Sequence, residues 1–286
     1  MPELPDLLHI VATLEEALHG RVVAAEHVKE PVVLRFAVRG NLSLLLGRRL
    51  ESVFRKSHFV VFRCEGLDLA VNPMLAGRFR LCDPKEKTEA ALCFALRFEP
   101  APGRESPELV ELRYVDDKKM GKAYLIARED WKAIPGMQTG GIDLLSPEFT
   151  RERFVSLLKH RRDQVRVFLL DKKALDSLGN AYADEVLFEA GIHPKTWCRS
   201  LSHDDGVRLH DAIVKVMTEA VAEVAQRGAP IEVKVRDFLK VRLKETCPRC
   251  GSKLRRAGVH GMDAYFCPQC QPATRAGFVD WTKTGK

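Results

Sequence analysis

The chain has 286 residues, 45% of them hydrophobic and 30% charged, which is long enough for two or more domains with a core in each. Its net charge of +7 favours a polyanionic partner. No run approaches the ~20 apolar residues needed to cross a bilayer. Acidic residues stand near the N-terminus where a signal peptide would be basic, so we expect a cytoplasmic protein with no membrane partner.

The start of the chain carries the first chemical signal. Removal of Met1 would leave Pro2 with a free secondary amine, and an α-amino group titrates near pH ~8. Such an amine attacks an aldehyde-level carbon to give an iminium ion, with Glu3 beside it to move protons. Proline is also a common second residue, so these residues alone leave catalysis open.

The next 140 or so residues (about half of the chain) divide into a helix, a set of strands and a linker. Apolar residues recur at helical spacing over residues 6–19, and Gly20 follows as a stop signal. Short alternating or apolar runs over residues 22–126 predict a β-sandwich or barrel. Glycine and proline mark a linker over residues 134–146, and a helix is predicted to start there with Pro147 at its first position.

Helical periodicity then continues to about residue 226, with interruptions that include Gly179-Asn180 and residues 202–205. A Gly-Asn turn that opens a helix exposes backbone N–H groups at the positive end of the helix dipole, which suits a phosphate. The same residues also fit an ordinary turn between helices that is capped by Asn180.

Eight cysteines fall into two groups. Two Cys-x-x-Cys pairs bring four thiolates together at the spacing typical of structural zinc, with a disulfide or redox role as the alternative; these are Cys247, Cys250, Cys267 and Cys270. The residues between the pairs predict a hairpin with its turn at His260-Gly261, on which Arg255 and Arg256 are suited to phosphate contact. The remaining cysteines are expected to be reduced thiols; they are Cys64, Cys82, Cys93 and Cys198.

These motifs resemble those of the formamidopyrimidine-DNA glycosylase / endonuclease VIII family, in the family's order and over nearly the whole chain. The residues concerned are the Pro-Glu-Leu-Pro start, Gly179-Asn180 with Asp184-Glu185, and the cysteine pairs ending in Cys270-Gln271. The resemblance implies an α+β multidomain fold. It has an N-terminal β-sandwich with a leading helix over residues 1–133, a helix-two-turn-helix domain over 147–230, a zinc hairpin over 231–274 and a tail over 275–286.

The resemblance also implies a function, that of a bifunctional DNA glycosylase and abasic-site lyase of base excision repair. A damaged base is flipped out of the duplex, because C1′ is otherwise out of reach. Pro2 would be the nucleophile, Glu3 the acid and base, and Asn180 a phosphate ligand. β/δ-Elimination would then nick the strand. We expect one structural zinc ion, double-stranded DNA with damaged bases or abasic sites as the partner, a monomer, and a place at the nucleoid.

Several positions depart from the family pattern. His58 stands where the family has a lysine near the lesion phosphate, and we count it as a catalytic candidate with Lys56 as a substitute for the phosphate contact. Leu75 and Met120 stand where the family inserts side chains into the gap left by the base. Lysine cannot make the forked base contacts of the arginines expected nearby; the residues present are Lys118 and Lys119.

Two further departures bear on DNA contact and substrate. Met262 replaces an arginine at the tip of the zinc hairpin, and the segment before Cys247 is short, which argues against 8-oxoguanine specificity. His58 and Met262 favour the alternative function, a catalytically weak or inactive family member that binds damaged or abasic DNA. A zinc-stapled protein associated with RNA or ribosomes is a third, more remote reading of the basic charge.

Overall fold

The first helix, α1 (Leu4–Leu18), supplies one apolar face to the core of the N-terminal part of the chain. Glu3 is its N-cap residue and Pro5 lies in its first turn, where a missing N–H costs nothing. The helix therefore begins two residues before the predicted start at residue 6. Gly20, at φ +76°, follows its C-terminus as predicted.

The structure is a computed structural model that describes residues 1–100, 109–135, 137 and 140–273. Its contacts form two compact units. The first unit comprises Met1–Gln138 with Glu223–Val235, and the second comprises Thr139–Ala222 with Arg236–Lys286. The domain boundaries drawn from the sequence stay a prediction, and the tail over residues 275–286 lies outside the described residues.

The first unit contains the predicted β-sandwich. Its strands are β1 Val23–Val28, β2 Leu34–Phe36, β3 Leu50–Lys56, β4 Phe59–Cys64, β5 Leu67–Asn72, β6 Arg78–Cys82, β7 Leu92–Phe98, β8 Val110–Val115 and β9 Lys122–Ala127. One sheet has the order β1-β7-β8-β6, and the other has the order β2-β9-β5-β4-β3. Aromatic rings from both sheets meet in the core, with Phe62 and Phe79 5.7 Å apart and Phe94 and Tyr114 5.3 Å apart.

The strand register brings three loops to the same end of the five-stranded sheet, where their strands begin or finish. Lys56 pairs with Phe59 across the β3–β4 turn, and Asn72 at the end of β5 pairs with Lys122 at the start of β9. The β3–β4 turn, the β5–β6 loop and the β8–β9 loop therefore lie side by side. The latter two loops each carry the chain from one sheet to the other.

The second unit contains the predicted helices, with α2 Arg151–Lys159, α3 Val165–Leu169, α4 Asn180–Ala190 and α5 His203–Arg227, the last turn of which belongs to the first unit. The predicted helix start at Ser146-Pro147 is wrong. Residues 146–149 form a turn, and the Thr150 hydroxyl accepts from the Arg153 N–H at 3.3 Å, so Thr150 is the cap. The interruption at residues 202–205 is the start of α5, where Ser202 and Asp205 exchange hydrogen bonds.

The remaining strands are short. β10 (Ile142–Asp143) and β11 (Leu175–Asp176) form a parallel pair, and β12 (Arg255–Val259) and β13 (Met262–Phe266) form the predicted hairpin with its turn at His260-Gly261. In the part of the chain that the structure describes, four 3-10 segments complete the regular structure: Pro31–Val33, Leu42–Leu45, Trp131–Ala133 and Cys198–Ser200. Among the described residues, every helix is either too short or too polar to span a membrane.

Candidate active site and nucleic-acid interface

The N-terminal amino group of the first unit lies in a partly buried position. The amino group present is that of Met1, and it donates to the carbonyl oxygen of Leu75 at 3.3 Å. Burial lowers its pKa from 8.0 to about 6, and the positive charge of Lys234 and a hydrogen bond with Lys234 act in the same direction. An amine of this kind is mostly unprotonated at neutral pH, which is what a nucleophile requires.

Glu3 is fixed beside this amine by the start of α1. Its own N–H donates to the Asp6 carboxylate at 2.8 Å, the two residues form a capping box, and both side chains are buried. Pro2, between Met1 and Glu3, is buried as well. The chain thus places a carboxylate next to the backbone nitrogen that would become the terminal amine on removal of Met1.

His58 and Lys56 lie at the β3–β4 turn. Ser57 has φ +52°, and its hydroxyl lies 3.0 Å from His58 Nδ1, while the His58 ring packs on Phe59 at 4.7 Å. Lys56 extends over the indole of Trp131, with its Nζ 4.8 Å from the ring centroid. The candidate phosphate ligand is therefore held by an aromatic contact that the sequence did not predict.

The two loops that cross between the sheets have the same design. Asn72 Oδ1 accepts from the Met74 N–H at 3.0 Å, and Asp116 accepts from the N–H groups of Lys118 at 3.0 Å and Gly121 at 2.7 Å. In each loop one residue in the left-handed region comes directly before an exposed apolar residue. These are Met74 (φ 50°) before Leu75 and Lys119 (φ 52°) before Met120, and Leu75 and Met120 are 60% and 41% exposed.

Tyr114 holds the two loops together. Its buried hydroxyl lies between Gly77 and Gly121, so close that a Cβ built on either glycine would be 2.1 Å or 1.8 Å from it. Leu75 and Met120 therefore project from loops whose ends meet at one side chain. The terminal amine donates to the carbonyl oxygen of Leu75, and Met120 lies on the other loop that packs against Tyr114.

The two lysines of the β8–β9 loop differ in their surroundings. Both side chains are exposed, and Lys119 also forms an ion pair with Glu30 at 2.8 Å. An exposed ion pair is weak and exchanges readily. Lys118 is accordingly the better placed of the two for contact with a polyanion.

In the second unit, Asn180 is the first residue of α4, after the extended Gly179. Its side-chain oxygen accepts from Arg166 at 3.0 Å. The fully buried Arg166 also pairs with Asp184 at 2.9 Å and donates to the carbonyl of Asp263 at 2.9 Å. Arg166 thus joins α3, the start of α4 and the hairpin strand β13, while its Nη1 has no hydrogen-bond partner among the described residues.

The hairpin places its cations away from its tip. Arg255 and Arg256 pair in register with Phe266 and Tyr265, at the cysteine end of the strands, whereas Met262 follows the turn and is 39% exposed. Three to four strand residues, about 10–13 Å, separate the two positions. Arg255 and Arg256 therefore do not occupy the place of the absent arginine. Met262 instead lines a cavity of about 440 Å³ together with residues of the α3 region, including Arg161 and Arg166.

The four predicted zinc ligands converge. Their Sγ atoms all lie within 4.8 Å of one another, with Cys247 and Cys270 3.9 Å apart and Cys250 and Cys267 3.5 Å apart. Tetrahedral zinc with Zn–S bonds of ~2.3 Å sets sulfurs about 3.8 Å apart. Backbone N–H groups donate to Cys247 and Cys267, from Arg249 at 3.4 Å and Cys270 at 3.3 Å. These residues hold one structural zinc ion with a closed set of ligands.

Gln271 connects this zinc site to the helices. It is fully buried, accepts from the Cys267 N–H at 2.9 Å and donates to the carbonyl of Ile192 at 2.9 Å. The sequence marked Gln271 as part of a family motif without giving its role. It missed Lys234, Tyr114, Trp131 and Arg166 altogether, because each acts through a partner distant in the chain.

Comparison with known proteins agrees with this arrangement. The N-terminal domain of formamidopyrimidine-DNA glycosylase matches residues 1–123, the helix-two-turn-helix domain of that enzyme matches 141–229, and the zinc finger found in this enzyme and in isoleucyl-tRNA synthetase matches 244–273. A sandwich with a partly buried terminal amine, a helix-two-turn-helix and a zinc hairpin in one chain together define a zinc-containing DNA glycosylase.

Similar proteins extend over the whole chain. The formamidopyrimidine-DNA glycosylase of Desulforamulus reducens is 30% identical over 96% of this chain and all of that protein, and the Listeria innocua enzyme is 29% identical over 95% and 100%. The chain belongs to the formamidopyrimidine-DNA glycosylase family. The MutM (Fpg) protein of Thermus thermophilus has the same fold, with 29% identity, 94% and 98% coverage and a TM-score of 0.80. Lactococcus lactis Fpg, in a complex with abasic-site DNA, has 24% identity, 95% and 100% coverage and a TM-score of 0.82, which supports the fold alone.

Replacing Gly121 with alanine tests the role of Tyr114. The new Cβ would lie 1.8 Å from the Tyr114 hydroxyl oxygen, so one of the two loops must move, and we expect a loss of about 1–3 kcal/mol in the free energy of unfolding. Gly258→Ala is the matched control, because a Cβ there meets nothing within 4 Å. Equal urea midpoints for the two variants would contradict this packing.

Replacing Gln271 with alanine tests the link between the zinc site and the helices. The change leaves the Cys267 N–H and the Ile192 carbonyl unsatisfied, and we expect about 1–3 kcal/mol of destabilisation and faster zinc release to a chelator. Gln226→Ala, at an exposed position of α5, is the control. Zinc release at the same rate from both variants would show that Gln271 does not stabilise the zinc site.

Proposed function

We propose that this chain is a bifunctional DNA glycosylase and abasic-site lyase of base excision repair, with Pro2 as the nucleophile. The observation that carries the proposal is the partly buried amino group of Met1, which donates to the carbonyl oxygen of Leu75, has its pKa lowered to about 6 and lies beside the buried Pro2 and Glu3. The proposed partner is double-stranded DNA with damaged bases or abasic sites, bound by a monomer at the nucleoid in the cytoplasm.

The first chemical step is attack on the sugar. The neutral Pro2 nitrogen forms a bond to C1′ of the flipped nucleotide, the bond from C1′ to the base breaks, and the base leaves with a proton. Opening of the sugar ring then gives the iminium ion, as Glu3 delivers a proton to the ring oxygen. On DNA that is already abasic, the same amine condenses with the sugar aldehyde and releases water.

Strand cleavage follows from the iminium ion. Removal of a proton from C2′ supplies the electrons that break the C3′–O bond and expel the 3′ phosphate. Removal of a proton from C4′ then breaks the C5′–O bond and expels the 5′ phosphate, and water hydrolyses the iminium ion and returns the amine. Glu3 is the proposed carrier of these protons, because it is the carboxylate adjacent to the amine.

The exposed loop residues support base flipping. Leu75 and Met120 are exposed apolar side chains on the loops at the end of the sheet where the terminal amine lies. Such side chains fill the space left by an extruded base. Asn180 at the N-terminus of α4 and Lys118 on the β8–β9 loop are the proposed phosphate contacts. Lys56 and His58 at the β3–β4 turn are proposed to face the same strand.

A second candidate function is binding of damaged or abasic DNA with little or no catalysis. Two observations favour it: the uncharged Met262 stands at the hairpin tip, and Arg255 and Arg256 lie at the opposite end of the strands. This candidate requires no free amine at the N-terminus. The two functions therefore differ in whether the N-terminal amine forms a covalent bond to the DNA sugar.

Borohydride trapping on an abasic-site duplex distinguishes them. We expect a covalent adduct with protein that lacks Met1, and at least tenfold less adduct with Pro2→Gly, because a primary amine on a flexible residue replaces a fixed secondary one. A tag at the N-terminus should abolish the adduct, whereas the same tag at the C-terminus should leave it unchanged. Tight binding to the duplex with no adduct from any form would favour the non-catalytic function.

A further inference from the structure

The face of the five-stranded sheet that is turned away from the sandwich core carries a row of rings and cations. Phe54 and Lys56 lie two residues apart on β3, so their side chains share this face. The Arg63 guanidinium lies 4.8 Å from the centroid of the Phe54 ring, and that ring meets the Trp131 indole edge-on at 6.4 Å. Lys56 Nζ, 4.8 Å from the indole centroid, is the last member of the row.

The other members of the row are fixed by contacts with the sheet. Arg63 faces the fully buried Asp68 across β4 and β5 and donates two hydrogen bonds of 3.0 Å to its carboxylate. Trp131 lies in the 3-10 segment after β9 and packs, with Phe54, against an apolar cluster that includes the buried Ile134. The indole is therefore an ordered surface against which the Lys56 side chain is held.

Lys56 is held in a different way from Lys119 on the neighbouring loop. Lys119 is paired with the carboxylate of Glu30 at 2.8 Å. Among the residues that the structure describes, no carboxylate pairs with Lys56, and its ammonium group contacts the indole of Trp131 instead. An aromatic ring attracts a cation without cancelling its charge, and an ammonium group has three N–H donors. The exposed Lys56 thus keeps its full charge while its position is restricted.

We propose that Trp131 is a positioning residue for DNA binding, which holds the Lys56 ammonium group at the β3–β4 turn for contact with a backbone phosphate. This inference rests on the proposed function, in which Lys56 and the neighbouring His58 face the bound strand. A lysine loses rotamer freedom when it contacts a phosphate, and a lysine already held over a ring loses less of it. A carboxylate in the place of the ring would compete with the phosphate for the same ammonium group.

The first test measures binding to a duplex that contains a tetrahydrofuran analogue of the abasic site, by fluorescence anisotropy between about 50 and 200 mM salt. The variants are Lys56→Met, which removes the charge, Trp131→Leu, which removes the ring, and Trp131→Phe, which keeps a smaller ring. Lys132→Met is the matched control, because it removes the same charge from the exposed residue next to Trp131.

We expect Lys56→Met to weaken binding and to lower the slope of log affinity against log salt by about one, as for the loss of one phosphate contact. Trp131→Leu should weaken binding about two- to fivefold, the worth of an exposed cation–π contact. Its salt slope should stay near that of wild type, because the lysine charge remains. Trp131→Phe should recover most of the affinity, and Lys132→Met should bind as wild type does.

The double variant separates positioning from a structural effect. If Trp131 acts through Lys56, Trp131→Leu costs no further affinity in the Lys56→Met background. An equal loss in both backgrounds would overturn the proposal. So would unchanged or tighter binding by Trp131→Leu, since the indole would then be irrelevant to the lysine or would hold it away from DNA. A slope that falls equally in Lys132→Met would also overturn it.

A second measurement tests the contact without DNA. In protein labelled with fluorotryptophan, the fluorine NMR resonance of Trp131 is assigned from its loss in Trp131→Phe. Lys56→Met should shift this resonance and Lys132→Met should leave it in place; no shift in Lys56→Met would overturn the proposal.

Binding and catalysis are separated by these experiments. If the binding results are as expected but no form of the protein gives a borohydride adduct, the proposed catalysis fails while the role of Trp131 stands. If wild type forms the adduct but Trp131→Leu binds as wild type does, the role of Trp131 fails while the proposed function stands.

Discussion

The chemistry proposed for this chain depends on one physical constraint: an amine at the end of the chain must be held in place and kept free of its proton. Chain termini are usually mobile and solvated. Here α1 begins at Leu4 and packs Leu7, Ile10 and Leu14 into the sandwich, so the terminus is positioned by a 15-residue helix. The same burial disfavours the charged form of the amine. Fixing the nucleophile and activating it are thus consequences of the same contacts.

The two loops at the end of the sheet beside this amine are also held in place. Leu75 and Met120 lie exposed to solvent, which is unfavourable for apolar side chains unless a partner covers them. Their loops are nevertheless closely fixed, by the side-chain hydrogen bonds of Asn72 and Asp116 and by the Tyr114 hydroxyl between the two glycines. Loops that are already ordered would lose little conformational entropy on contact with DNA. More of the binding free energy would then be available to open the base stack.

Local patterns predicted the sandwich strands, the helical region, the hairpin turn and the four zinc ligands, because each depends on residues near one another in the sequence. The helix-two-turn-helix was implied by the resemblance to the family. The helix start was placed wrongly at Ser146-Pro147, because both Ser146 and Thr150 are residue types that cap helices. The hydrogen bond that Thr150 accepts from the Arg153 N–H shows that Thr150 is the cap. Lys234, whose positive charge lowers the pKa of the terminal amine, lies more than 200 residues from it in the sequence. No periodicity or spacing reports such a pair, and the same holds for Arg166 with Asp263 and for Lys56 with Trp131.

The distribution of cations bears on how such a protein would select its substrate. Arg166 is committed to internal bonds with Asp184 and Asn180, and the hairpin tip carries the uncharged Met262. Fewer free cations at these positions mean fewer counterions released from the phosphate backbone, and hence weaker grip on intact duplex. Selection then depends more on the cost of extrusion, which is lowest where a base is mispaired, damaged or already lost. Under the proposed function, the uncharged Met262 at the hairpin tip would therefore favour sites that open easily over sites recognised by the chemistry of one base.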